Sequence, residues 1–228
     1  MKEKLYVLLG DVVSSTRIVN RDIFQKKIMD ACMEINKLYA NDIVANFKIL
    51  KGLDEIGGVL FSSSKVYDVV TILSDRLYPN SMRFALAFDH IDTAVESKDV
   101  AKMDGPAFHK ASDIILELKQ TEKYFAMFLG YGNLDKVIGG TINLILTIKE
   151  EWSQKEHHIV NETKKGKTQV EIAKELGITQ QAVSKTLKRL MWKELEDLEE
   201  DLRSFMKIEI KKLENMETAW YKEEYIGD

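Results

Sequence analysis

Two aspartates raise the question of chemistry first. Asp11 ends an apolar run, Leu5–Leu9, that passes through Gly10. Asp54 stands in Lys51-Gly52-Leu53-Asp54-Glu55, a turn between the β-rich runs Ile43–Leu50 and Ile56–Phe61. If the first run is a strand paired with that hairpin, both carboxylates reach one end of a sheet. Such a pair suits Mg2+ or Mn2+ carrying a nucleotide triphosphate. Ser14, Ser15, Thr16 and Arg17 follow Asp11 at a strand-to-helix turn, where hydroxyls, backbone donors and a cation suit phosphate. The plain alternative is a capped strand end at Asp11 and an ordinary turn residue at Asp54.

A second constellation runs from Thr168 to Arg189. Ile172, Ala173 and Leu176 give a first short helix its inner face, with Ala173 small where two helices must approach. Gly177 falls at a sharp turn, where positive φ is easiest, and Ile178 plugs it. Thr179 caps a second helix that Val183 and Leu187 anchor. Its outer face presents Gln180, Gln181, Ser184, Lys185 and Lys188, with Arg189 at its end. Glutamines read base edges, and serine and lysine suit bases or phosphates. The stretch resembles the helix-turn-helix of bacterial and archaeal regulators, including sigma-like and MarR-like domains, and that resemblance implies double-stranded DNA as partner. A hairpin used only for packing is the alternative.

Other groupings are weaker. Asp89, His90 and Asp92 look like metal ligands, but strand alternation sends His90 away from Asp89. His157 and His158 are adjacent on a helix, cannot share one metal, and read as exposed. Cys32 lies on an apolar helical face and reads as core.

The elements that must position these residues follow from periodicity. Leu5–Leu9 reads as a buried strand and Arg21–Tyr39 as a helix with Ile23, Phe24, Ile28, Ala31, Ile35 and Leu38 inward. After the Asp54 hairpin, Ser62-Ser63-Ser64 caps a helix through Leu77, and Met82–Phe88 is a fourth strand. The order β-α-β-β-α-β predicts a ferredoxin-like, palm-type α+β domain. A helix after Asp104-Gly105-Pro106 and a strand near Tyr124–Leu129 follow. We divide the chain into residues 1–133, a helical connection over 134–162 and a helix-turn-helix domain over 163–228. Asn161–Lys167 reads as a lysine-rich linker or turn. Beyond it Met191, Leu195, Leu198, Leu202, Met206, Ile210, Leu213, Met216 and Trp220 recur at helical spacing, a long amphipathic helix.

With 228 residues, 45% hydrophobic and 31% charged, the chain has the makings of one or two cores. A single cysteine excludes an internal disulfide framework and Cys-based zinc fingers. No apolar stretch is long enough for a bilayer, and the N-terminal run is too short for a signal sequence, so a cytoplasmic protein is expected. The net charge is −4, yet residues 163–193 hold eight cations and two carboxylates, and residues 194–228 hold five and twelve. Local basicity in a mildly acidic chain suits a polyanion partner.

The motifs Gly10-Asp11-Val12-Val13-Ser14-Ser15-Thr16-Arg17, Lys51 through Leu60, Arg83-Phe84, and Asp104-Gly105-Pro106-Ala107 with Ala111 resemble the SatD family over most of residues 1–190. That family's N-terminal region is similar to the palm of class III nucleotide cyclases and GGDEF proteins, which implies a metal-binding role for Asp11 and Asp54. The chain departs from the pattern at Leu53, where a glycine precedes the aspartate, and at Ala85-Leu86-Ala87-Phe88, where similar sequences are glycine-rich. The reading that results is a DNA-binding transcriptional regulator with an N-terminal ligand-sensing or assembly domain, and a homodimer to match paired half-sites. A metal-dependent cyclase or nucleotidyl transferase using Asp11 and Asp54, and a protein-interaction scaffold, are the rival readings.

Overall fold

A computed structural model describes residues 4–52 and 54–225, the side chains of Glu209 and of residues from 211 on excepted. Leu213, Met216 and Trp220 of the expected stripe therefore lie outside the described side chains, as does Leu53. The chain divides into two units, one running through Leu146 and resuming at Arg203, the other Thr147–Leu202.

The first unit is built on a five-stranded sheet. Its strands are β1 (Lys4–Val12), β2 (Ile43–Lys51), β3 (Glu55–Leu60), β4 (Met82–His90) and β5 (Phe125–Phe128). They lie in the order β2-β3-β1-β4-β5, antiparallel except for β4 with β5. With helices α1 (Arg21–Leu38) and α2 (Val66–Leu77) as the crossovers, this is the ferredoxin-like order, extended by β5. β1 is central and buried on both faces, which is why its sequence is a continuous apolar run. Leu5, Val7 and Leu9 share a cluster with Ala85, Ala87 and residues of α3 (Pro106–Thr121). Tyr6, Leu8, Leu86 and Leu60 point the other way by strand alternation and are buried as well.

The helix α1 buries Phe24, Ile28, Ala31, Cys32 and Ile35, whereas Ile23 and Leu38, expected inward, are exposed at its ends. Burial pushes the Cys32 thiol up to about 12, so this cysteine is inert core. Arg76 of α2 clasps Glu34 of α1 with two bonds of 2.8 Å.

The free edge of β5 is covered by α4 (Asn133–Glu150). Asn143 Oδ1 accepts the N–H groups of Tyr124 and Phe125, and Asp135 Oδ2 accepts those of Leu129 and Gly130. Side chains of one helix thus satisfy an edge that would otherwise offer itself for pairing.

The second unit holds the end of α4 and the helices α5 (Gln154–Lys164), α6 (Gln169–Leu176) and α7 (Gln180–Arg189), with the start of α8 (Trp192–Tyr225). Ser153 and Glu156, and Thr168 and Glu171, form reciprocal capping boxes that start α5 and α6. Trp152 and Trp192 meet edge-on at 6.3 Å beneath them. Lys149 and Glu199 form an ion pair with only 8% and 3% of their side chains exposed.

Three expectations are corrected here. Asn161–Lys164 is the last turn of α5 and not linker, because Glu162 is buried and draws in Lys165 and Lys167. His157 is buried, with its Nε2 3.0 Å from the Lys149 carbonyl and its ring edge-on to Trp152. Met191 sits in a left-handed turn before α8 and is exposed, and Leu198 is also exposed; Leu195, Leu202, Met206 and Ile210 carry the buried stripe.

Candidate functional site

Two places answer to the sequence expectations, one in each unit.

In the first, Asp11 and Glu55 are register partners across β1 and β3, and Val12 N–H donates to the Asp54 carbonyl at 2.8 Å. The topology therefore does bring Asp11 and Asp54 to one end of the sheet. Their surroundings decide what they do. Asp11 is buried, and its carboxylate is met by Lys119 Nζ at 2.8 Å and by Arg83 at 3.7 Å. Asp54 accepts the Ser15 hydroxyl at 3.2 Å. Among the described residues no three His, Cys, Asp or Glu side chains gather as a metal group. The Asp11 carboxylate is thus matched by Lys119 and Arg83 and the Asp54 carboxylate accepts a hydroxyl, whereas a divalent cation needs several uncompensated oxygen ligands.

The residues of the phosphate expectation follow β1. Ser15–Arg17 is a single 3-10 turn, preceded by Ser14 at φ 53°. Its Arg17 and Ile18 N–H groups are spent on Ser14 and Ser15 carbonyls. Ser14, Thr16 and Arg17 are exposed, and Arg17 borders a cleft of about 350 Å³ with Lys27 and Asn80.

The family-like motifs around this end are explained by packing. A Cβ on Gly58 would stand 2.5 Å from the Phe47 ring, and one on Gly57 2.5 Å from Leu50. The glycine pair of β3 is filled by its own neighbours. Phe47 is held there by Asn36, which bonds both its N–H and its carbonyl. In Asp104-Gly105-Pro106-Ala107, Gly105 has φ 149° and a Cβ there would stand 2.7 Å from the Asp92 backbone nitrogen, Pro106 opens α3, and Ala107 and Ala111 are fully buried. Asp89 pairs with Lys110 at 2.5 Å.

In the second unit, α6 and α7 are joined by Gly177-Ile178-Thr179, with Gly177 left-handed at φ 63°. Ile172, Ala173, Val183 and Leu187 are buried, and Leu176 and Ile178 half-buried. The Thr179 hydroxyl accepts the Ala182 N–H at 3.1 Å and caps α7. Gln181, Lys185 and Lys188 are exposed on the outer face with Ser184 half-exposed between them. Gln180 is exposed too, its amide donating to Gln169 at 2.6 Å. Arg189 is ion-paired with Glu156 of α5, so it braces the frame.

The lysines of this unit separate into two sets. Lys165 and Lys167 converge on Glu162, Lys167 reaches Glu175 at 2.7 Å, and Lys193 reaches Asp197 at 2.7 Å. Hydrogen bonds from Lys165 and Lys167 hold the Glu162 carboxyl down at about 2, against 4.5 ordinarily. Lys174, Lys185 and Lys188 make no ion pair among the described residues. The signals for the starts of α5 and α6, Ser153-x-x-Glu156 and Thr168-x-x-Glu171, stand in the sequence as capping boxes.

Fold and second unit together define a palm-type α+β protein with an appended helix-turn-helix. The chain belongs to the SatD family, whose profile matches residues 5–193. Among solved structures it is similar to a bacterial light-regulated adenylyl cyclase, at 14% identity and a TM-score of 0.39, covering 57% of this chain and 44% of that one. No curated protein matches it. No helix among the described residues is long and apolar enough to cross a membrane.

Proposed function

We propose that this protein binds double-stranded DNA through the outer face of α7 and acts in transcriptional control. The observation that carries the reading is the contrast among its lysines. The frame consumes Lys165, Lys167 and Lys193 in ion pairs, while Lys185 and Lys188 stand on α7 without one. Uncompensated cations on an exposed helix face, interleaved with Gln181 and Ser184, suit phosphates and base edges together. A capped N-terminus and a buried Val183–Leu187 anchor keep that face rigid. Arg189 supports the frame in this reading, and Thr179 serves as cap. The first unit acts as a sensing or assembly domain. Its nucleotide-processing alternative gains nothing from the geometry, because Asp11 is held by Lys119 and Arg83.

The test is enrichment of duplexes from a random pool by the purified full chain. A reproducible motif is expected, and Gln181→Ala relaxes the preference at one or two positions, where discrimination falls by about 1–3 kcal/mol. Failure to enrich any motif or to retain duplex over single strands refutes the reading.

A further inference from the structure

The cleft bounded by α3, β5 and α4 encloses about 560 Å³, a size typical of small-molecule sites. It lies wholly within the first unit. Its walls combine apolar and charged side chains, with Leu118, Phe125 and Met127 among the buried ones. Asp135 also lines it and is 6% exposed. The two oxygens of that carboxylate differ. Oδ2 accepts the N–H groups of Leu129 and Gly130 at 2.9 and 3.1 Å. Oδ1 is buried with no hydrogen-bond partner. A buried carboxylate oxygen left unmatched carries its full desolvation cost, so it calls for a donor.

A second observation points the same way. Gly139 and Gly140 interrupt the middle of α4, where glycine weakens a helix relative to alanine. Close packing accounts for Gly139, whose Cβ would stand 3.3 Å from Met127. It does not account for Gly140, whose Cβ would meet nothing within 4 Å. That bare stretch of helix is part of the cleft wall. Around the cleft stand Lys123 and Lys136, both exposed, and Glu117.

We propose that this cleft binds an amphipathic small molecule bearing an amine. Its apolar body lies against Phe125, Met127 and the bare backbone at Gly140, its N–H donates to the Asp135 carboxylate, and an anionic end is met by Lys123 and Lys136. The class is therefore a zwitterion with an aromatic or bulky aliphatic body. Asp135 thus holds the segment that follows β5 and reads the ligand at once.

The test uses three indoles of one body: L-tryptophan with both charges, tryptamine with the amine only, and indole-3-propionate with the acid only. Thermal midpoints of the full chain are measured with each at millimolar concentration. L-tryptophan raises the midpoint most, tryptamine less and indole-3-propionate least. Asp135→Asn keeps an acceptor for Leu129 and Gly130 and weakens binding of the amines about tenfold or more. Gly140→Ala raises the midpoint of the free protein and diminishes the ligand's effect. The proposal is overturned if neither amine shifts the wild type. An undiminished shift in Gly140→Ala also overturns it, and that variant decides the matter even if Asp135→Asn fails to fold.

Discussion

The ammonium group of Lys119, on the last turn of α3, lies 2.8 Å from Asp11 Oδ1 at the end of β1. Arg83 adds a second cation at 3.7 Å. The charge of a carboxylate that is 11% exposed is balanced from within the chain. Lys119→Ala should lower stability by about 1 kcal/mol, since Lys119 itself is half exposed. The paired cycle with Asp11→Asn, read from urea midpoints, should show a coupling of the same size. Mg2+ or Mn2+ should leave the wild-type midpoint in place. A metal-dependent rise that Asp11→Asn abolishes would show that the carboxylate exchanges its lysine for a cation.

Lys149 and Glu199 form a deeply buried ion pair in the second unit. Removing one partner leaves the charge of the other buried without this pairing. Lys149→Met should therefore cost about 3–5 kcal/mol, and Lys149→Met with Glu199→Leu should recover most of it. Chemical denaturation of the three variants measures this. A double variant no better than the single one would mean that the pair's other contacts carry the stability.

The acid limb of stability should trace to Glu162. Its carboxyl sits at about 2 in the folded protein against 4.5 ordinarily, held down by Lys165 and then Lys167. A depressed carboxylate contributes fully above its unfolded value and loses that contribution as pH falls through its folded one. The thermal midpoint should thus decline between about pH 4.5 and pH 2, and Glu162→Gln should lower it at neutral pH while flattening that limb. An unchanged limb in Glu162→Gln would place the acid sensitivity elsewhere.

Much of the fold is legible in the residue pattern. The order β-α-β-β-α-β follows from turn signals between apolar runs, and β1 shows its double burial as an unbroken apolar string. Gly177 and Thr179 mark the joint between α6 and α7 because left-handed turns and caps have few chemical solutions. What escapes the sequence is partnership at a distance. Lysines around residue 165 look like solvated linker until Glu162 is seen buried among them. Asp11 looks like a metal ligand in the sequence, where nothing announces Lys119, its partner more than a hundred residues on. His157 looks exposed because nothing local tells that Trp152 covers it. Asp135 and Asn143 are unremarkable polar helix residues until β5 is laid along α4.

The sharpest measurement is DNA affinity against salt concentration, by fluorescence anisotropy, for wild type and for Lys185→Glu with Lys188→Glu. Each lysine that neutralises a phosphate releases counterions, so affinity falls with salt at a slope set by the number of such contacts. The wild type should bind duplex with a steep slope. The double variant, which changes only exposed groups on α7, should keep its thermal midpoint, lose most of its affinity and show a slope shallower by about two units. Equal affinity and equal slope in the two proteins, or no salt-dependent binding by the wild type, would contradict DNA recognition by α7.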